Sequence, residues 1–262
     1  MGRSVPLLCR RLRRPGLFVT GTDTGVGKTV VACAIALHLR SRGLRVGVCK
    51  PFASGCRRDR EGLVSEDAEA LAHFADCRQP LDVINPIRYG PALAPAVAAE
   101  QTRRAPDWAA LGRSLHVLEE ASDVLLVEGV GGLLVPLDPT DPPSTVRDLI
   151  RSLGLPVLVV ARATLGTLNH TAMTIALLRE ANCRIAGVVL NEFEPDTTTN
   201  GPNDPSMASN RLWIPRMNDV PVLATVPRCP AHSIAPHEGR IPPGVVDAVG
   251  MTFWEDVLGR EA

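Results

Sequence analysis

The chain has 262 residues, 45% of them hydrophobic, with 28 basic and 28 acidic side chains and a formal net charge of zero. That length and apolar content suit one large α/β domain, and the balanced charge supplies no field to draw the chain onto nucleic acid or an anionic membrane. No apolar run approaches the ~20 residues of a membrane-spanning helix, and seven scattered cysteines without a CxxC pair fit reduced thiols in a cytoplasmic compartment.

Residues 1–15 hold five arginines and no acid, and they read as a disordered basic extension ahead of a single domain over residues 16–262. The apolar run 17–20 then feeds Gly21-Thr-Asp-Thr-Gly-Val-Gly-Lys-Thr29, and a helical pattern covers 28–41. Glycines in a strand-to-helix loop let backbone N–H groups converge on phosphate oxygens, with the helix N-terminus adding a favourable partial charge. In such a loop Lys28 reaches the β- and γ-phosphates and the Thr29 hydroxyl faces Mg²⁺. Five residues separate Gly21 from Gly27 here, where the standard spacing has four.

Further β-branched apolar runs at 45–49, 124–127, 157–161, 185–190 and 222–225 alternate with helical patterns at 66–74, 108–121, 169–181 and 206–217. Stretches 138–144 and 194–206 read as loops, and a last helix is expected near 245–258. This alternation predicts a mainly parallel sheet covered by helices on both faces, with ligands beyond the carboxyl ends of the strands.

Only two lysines occur, Lys28 and Lys50; the other 26 basic residues are arginine. Where any cation would serve, this chain uses Arg, so its lysines mark places that call for a compact, strongly hydrated point charge. Lys50 ends the run 45–49 and is held extended by Pro51, which keeps it at the sheet's carboxyl edge near the phosphate loop. Ser54 follows with a hydroxyl. Glu128 ends the run 124–127 just before Gly129-Val-Gly-Gly132; a carboxylate there suits Mg²⁺, and otherwise needs a cationic partner. Asp67 opens the helix at 66–74 either as a cap or as a metal ligand. Asn169 likewise either caps its helix or joins the preceding N–H groups in holding an anion. Asn191 ends a strand, where its amide can pair with an adenine edge.

In order, Gly21 to Thr29, Lys50-Pro-Phe-Ala-Ser-Gly55, Val127-Glu-Gly-Val-Gly-Gly132, Leu165-Gly-Thr-Leu-Asn-His170 and Val189-Leu-Asn191 resemble the signature segments of the dethiobiotin synthetase family, whose fold is of the P-loop NTPase type. The extra loop residue is usual there. Many members carry an acid where this chain has Gly25, and residues around Asn200 and beyond Pro227 match poorly.

The resemblance implies ATP-dependent closure of a ureido ring, converting 7,8-diaminopelargonate and CO₂ to dethiobiotin with ADP and phosphate as products. It implies Mg²⁺, a cytoplasmic homodimer, and no nucleic-acid or membrane partner. Gly25, Val26, Gly27, Lys28, Thr29, Val30, Glu128, Asn191 and Pro227 would surround ATP, while Thr29, Asp67 and Glu128 would hold the metal. Lys28, Lys50, Thr24 and Ser54 would be catalytic. Ser54 would also bind substrate, and Gly166, Thr167, Leu168 and Asn169 would take its carboxylate tail across the dimer interface. Two other readings share the phosphate loop. An amidating ligase of the cobyrinic acid diamide synthase type would need a C-terminal glutaminase, for which too little chain follows Pro227. An ATP-switched partitioning or scaffold protein would carry a second lysine where this chain has Thr22 and Asp23.

Overall fold

Successive side chains of a buried parallel strand face opposite layers, and these strands carry apolar residues for both. In the computed structural model, which describes residues 9–60, 62–194, 204–252 and 254–258, six such strands form one sheet. They are β1 (Gly16–Gly21), β2 (Val46–Cys49), β3 (Val124–Glu128), β4 (Val157–Arg162), β5 (Ile185–Phe193) and β6 (Val222–Pro227). The order is β6-β5-β4-β1-β3-β2, and every pairing is parallel. Each of the six strands expected from sequence is present, extended at one or both ends or trimmed by one residue.

The period of two sorts the core. Phe18, Leu125, Val127, Val157 and Val159 face one layer, while Leu17, Val19, Val124, Leu126 and Leu158 face the other. Helices α1 (Lys28–Ser41) and α2 (Glu66–Ala75) cover the second layer. The first is covered by α5 (Trp108–Ala121), α6 (Val146–Leu153), α7 (Thr167–Glu180) and α8 (Ser206–Asn218). Two short helices, α3 (Leu81–Ile84) and α4 (Pro95–Thr102), lie between α2 and α5 in the chain.

The structure revises several expectations. The last helix is two, α9 (Pro243–Gly250) and α10 (Trp254–Leu258); the fully buried Trp254 donates its indole N–H to Val249 O across the break. Helix α6 is an addition to the expected elements, although its capping box is legible: Thr145 and Asp148 exchange side-chain and backbone bonds at its start. Part of the basic extension is packed rather than disordered. Cys9 and Leu12 are buried, Leu12 N–H bonds Leu153 O, and the buried Glu119 carboxylate accepts from Arg10 Nη2 at 2.5 Å and Arg13 N–H at 2.6 Å. Apolar contact and a buried carboxylate in need of donors fix this stretch. Residues 1–8, and most of the loop expected at 194–206, lie outside the described residues. All seven cysteines are free thiols.

Candidate active site

Strand register brings the chemistry together. Val19 pairs with Glu128, Cys49 with Val127, and Arg162 with Asn191, so these strand ends share the carboxyl edge beside the loop that leaves β1. The loop turns into α1 through Gly25 at φ 70° and Gly27 at φ 89°, a region where a side chain is strained. A Cβ on Gly27 would also stand 2.0 Å from Asn191 Nδ2, which donates to Val26 O at 3.1 Å and pins the loop to β5.

A cleft of ≈410 Å³ opens above the loop, and Lys28, Thr29, Lys50, Ser54, Asp67 and Glu128 all line it, as do Thr24, Gly25, Gly27 and Val30. Thr29 Oγ1 lies 2.9 Å from Asp67 Oδ1 and 2.8 Å from Glu128 Oε1. A hydroxyl has one proton, so it can donate to only one of these carboxylates at a time. Lys50 Nζ sits 2.6 Å from Glu128 Oε1 and 2.7 Å from Asp67 Oδ2. Lys28 Nζ donates to Asp23 O at 2.9 Å, folding back on its own loop. Both lysines are buried.

The electrostatics follow from burial and from each other. Burial, aided by the neighbouring Lys50 charge, lowers Lys28 to about 8. Burial also works against a charge on Lys50, but the Glu128 and Asp67 carboxylates outweigh it and hold Lys50 above the ordinary lysine value. Lys50 in turn lowers Asp67. Glu128 is raised, because its burial outweighs the help of Lys50; its Oε2 is buried with no hydrogen-bond partner.

Several residues take places that the sequence left open. Asp67 is no cap: Ser65 is, accepting from Ala68 N–H, which leaves the Asp67 carboxylate to Thr29 and Lys50. Asn169 is no cap either. Helix α7 starts two residues before the expected boundary, at Thr167, with left-handed Gly166 at its N-cap, and Asn169 is exposed on the first turn. Thr167 is buried against Thr171, and Leu168 is half-buried. Gly166 to Asn169, Val26, Asn191 and Pro227 lie outside the cleft lining. An apolar groove of ≈460 Å³ adjoins the cleft at Thr24 and runs past Leu134 to His170, Met173 and Leu177 of α7.

Two further cleft neighbours stand apart from the residues expected on sequence. Arg162 donates to Thr24 O at 3.1 Å, and its signal is a charge closing an otherwise apolar strand. Pro236 and His237 line the cleft mouth opposite Glu66, in a stretch with no periodic pattern to place it.

Residues 15–234 match the AAA domain family. The chain is 44% identical to the ATP-dependent dethiobiotin synthetase BioD of Anaeromyxobacter dehalogenans strain 2CP-1, over 81% of this chain and 89% of that one. It is 38% identical to the protein of the same name from Thermodesulfovibrio yellowstonii, over 82% and 89%. Among solved structures it is similar to a single-residue variant of Cyanothece McdA in complex with ATP, with a TM-score of 0.55, 13% identity, and coverage of 96% and 98%. It is also similar to the MinC:MinD cell division complex of Aquifex aeolicus, with a TM-score of 0.54, 13% identity, and 94% of each chain. At that identity the two structures speak for the fold alone.

Proposed function

The chain belongs to the dethiobiotin synthetase family of ATP-dependent ligases, and from that premise we propose how its cleft closes a ureido ring. The enzyme uses ATP to join 7,8-diaminopelargonate and CO₂ into dethiobiotin, a step of biotin synthesis. One amine captures CO₂ as a carbamate. A carbamate oxygen attacks the γ-phosphorus and ADP departs; the second amine then attacks the carbonyl carbon of the mixed anhydride and expels phosphate.

The observation that carries this reading is the convergence of Lys28, Thr29, Lys50, Asp67 and Glu128, from separate segments, on one cleft at the sheet's carboxyl edge. Phosphoryl transfer is catalysed mainly by positioning and charge neutralisation. The loop's N–H groups and Lys28 hold the β- and γ-phosphates, Lys50 meets the charge passing to the carbamate, and the Thr24 and Ser54 hydroxyls orient that carbamate. The residues present fit a magnesium ion. Glu128 Oε2 has no partner, Thr29 has one proton between two carboxylates, and no cluster of three His, Cys, Asp or Glu suited to a metal occurs among the described residues. That favours an ion satisfied by one or two carboxylates with phosphate and water. Thr29, Asp67 and Glu128 would hold it, and when bound it would neutralise charge on the β- and γ-phosphates.

Two subunits share the work in this reading. The exposed start of α7 offers N–H groups to a carboxylate tail. Exposed Leu134, Leu165 and Met173 near it form an apolar surface that a second copy would cover. The partners are small molecules, in a cytoplasmic setting that suits the free thiols; among the described residues no helix is long and apolar enough to cross a membrane. The test is a ring-closure assay with purified chain, diaminopelargonate, bicarbonate and MgATP. The expected result is a ureido product formed in step with ADP and phosphate. ATP hydrolysis indifferent to diaminopelargonate, or stimulated by DNA or vesicles, overturns the reading.

A further inference from the structure

The groups suited to a divalent ion are already bonded to a cation of the chain itself. Lys50 Nζ contacts Glu128 Oε1 at 2.6 Å and Asp67 Oδ2 at 2.7 Å, and it reaches Gly129 O at 3.3 Å. Glu128 is 1% exposed and Lys50 3%, so neither can be left without a partner except at a large cost. Magnesium binds its oxygens at 2.0–2.1 Å in near-octahedral array. It cannot share Glu128 and Asp67 with an ammonium bonded to both unless that ammonium moves.

Moving Lys50 requires two replacements at once: a cation for the carboxylates it leaves, and an anion for its own charge. A free metal ion supplies only the first. A metal–nucleotide complex supplies both, because Lys50 lines the same cleft as Lys28 and the phosphate loop and carries a flexible stem. We infer that Lys50 is the built-in counter-cation of the Asp67–Glu128 pair, closing it to free divalent metal and yielding it only to metal that arrives with nucleotide phosphates. Metal and nucleotide are then thermodynamically coupled, each raising the other's affinity by the same factor. The inference rests on the nucleotide reading above and adds an order of entry to it.

The test is metal binding without turnover. Wild type is melted in metal-free buffer, with Mg²⁺ alone, and with Mg²⁺ plus a non-hydrolysable ATP analogue; Mn²⁺ binding is followed in parallel by electron paramagnetic resonance. Wild type should ignore either ion alone, and should bind it once the analogue is present. Lys50→Met should melt lower in metal-free buffer and be stabilised by Mg²⁺ alone, with a midpoint at roughly tenfold or more lower metal concentration than wild type. Lys50→Met/Glu128→Gln, which removes one charge of each sign, should melt nearer wild type and lose most of the response. If wild type takes up free Mn²⁺ as tightly as Lys50→Met, or Lys50→Met ignores the metal, the counter-cation role is wrong. Should Lys50→Met not fold, wild type decides by itself, because Mn²⁺ bound without nucleotide overturns the idea. The ring-closure assay is independent of these readouts, so the functional reading and this inference can fail separately.

Discussion

Two glutamates, Glu119 and Glu128, are buried almost equally, at 3% and 1% exposure, and stand near opposite edges of the sheet. Glu119 ends α5 near the amino edge, and its carboxylate is met by Arg10 Nη2, Arg13 N–H and Arg14 N–H. Glu128 ends β3 at the carboxyl edge. Lys50 and Thr29 crowd onto its Oε1 and leave Oε2 with no partner. A carboxylate with its donors supplied has finished its task once the chain is folded. A buried one left half-served keeps an affinity for something that is not part of the chain. The difference teaches that burial alone does not separate structural from functional acids; the count of satisfied oxygens does.

The comparison can be broken or sharpened by substitution. At the carboxyl edge, Lys28→Ala should cut turnover far below a tenth of wild type, about 3 kcal/mol or more in the barrier, with little change in the melting curve. A folded Lys28→Ala enzyme above a tenth of normal turnover would take Lys28 out of the site. At the amino edge the signs reverse. Glu119→Gln sets an amide against donors and should cost about 1–3 kcal/mol of stability, with turnover at 25 °C unchanged. If turnover falls while the melting temperature holds, the two edges are not distinct. Lys50→Arg comes next, with an expected loss of roughly tenfold, because the planar guanidinium cannot sit in a pocket shaped for an ammonium shared by two carboxylates. The smallest stability effect belongs to Asn169→Ala, within about 0.5 kcal/mol, since Asn169 caps nothing. Its activity carries the information. If the start of α7 serves a neighbour's cleft, mixing inactive Lys28→Ala with inactive Asn169→Ala should restore activity in hybrids, because two-fold symmetry leaves one of their sites intact. Verified hybrids without activity would refute the shared site.

What the sequence made legible depended on distance along the chain. Strands of β-branched residues, a glycine loop before a helix, and two lysines among arginines are local signals, and each led to the right edge of the sheet. The bond between Lys50 and Glu128 spans 78 residues, and no local pattern announces it; the sequence could say that Glu128 needed a cation but not which one. The basic N-terminal stretch misleads for the same reason, because its partner Glu119 lies more than 100 residues away. Asp67 and Asn169 show how a short range can also deceive. Both are residue types that cap helices, yet Ser65 and Gly166 hold those positions and free the two side chains for other work. His237 is invisible to pattern reading because the chain beyond β6 follows neither a helical nor a strand period.

The rarity and burial of lysine give the molecule an unusual chemical face. Its two lysines are both buried in the cleft, so an amine-directed reagent meets no lysine on the surface. Of the two, Lys28, lowered to about 8, holds a fair share of free amine in mildly alkaline solution, whereas Lys50 stays protonated between its carboxylates. Acylating or pyridoxal-type probes are thereby steered to a single side chain inside the nucleotide cleft, with no need to engineer a unique attachment point.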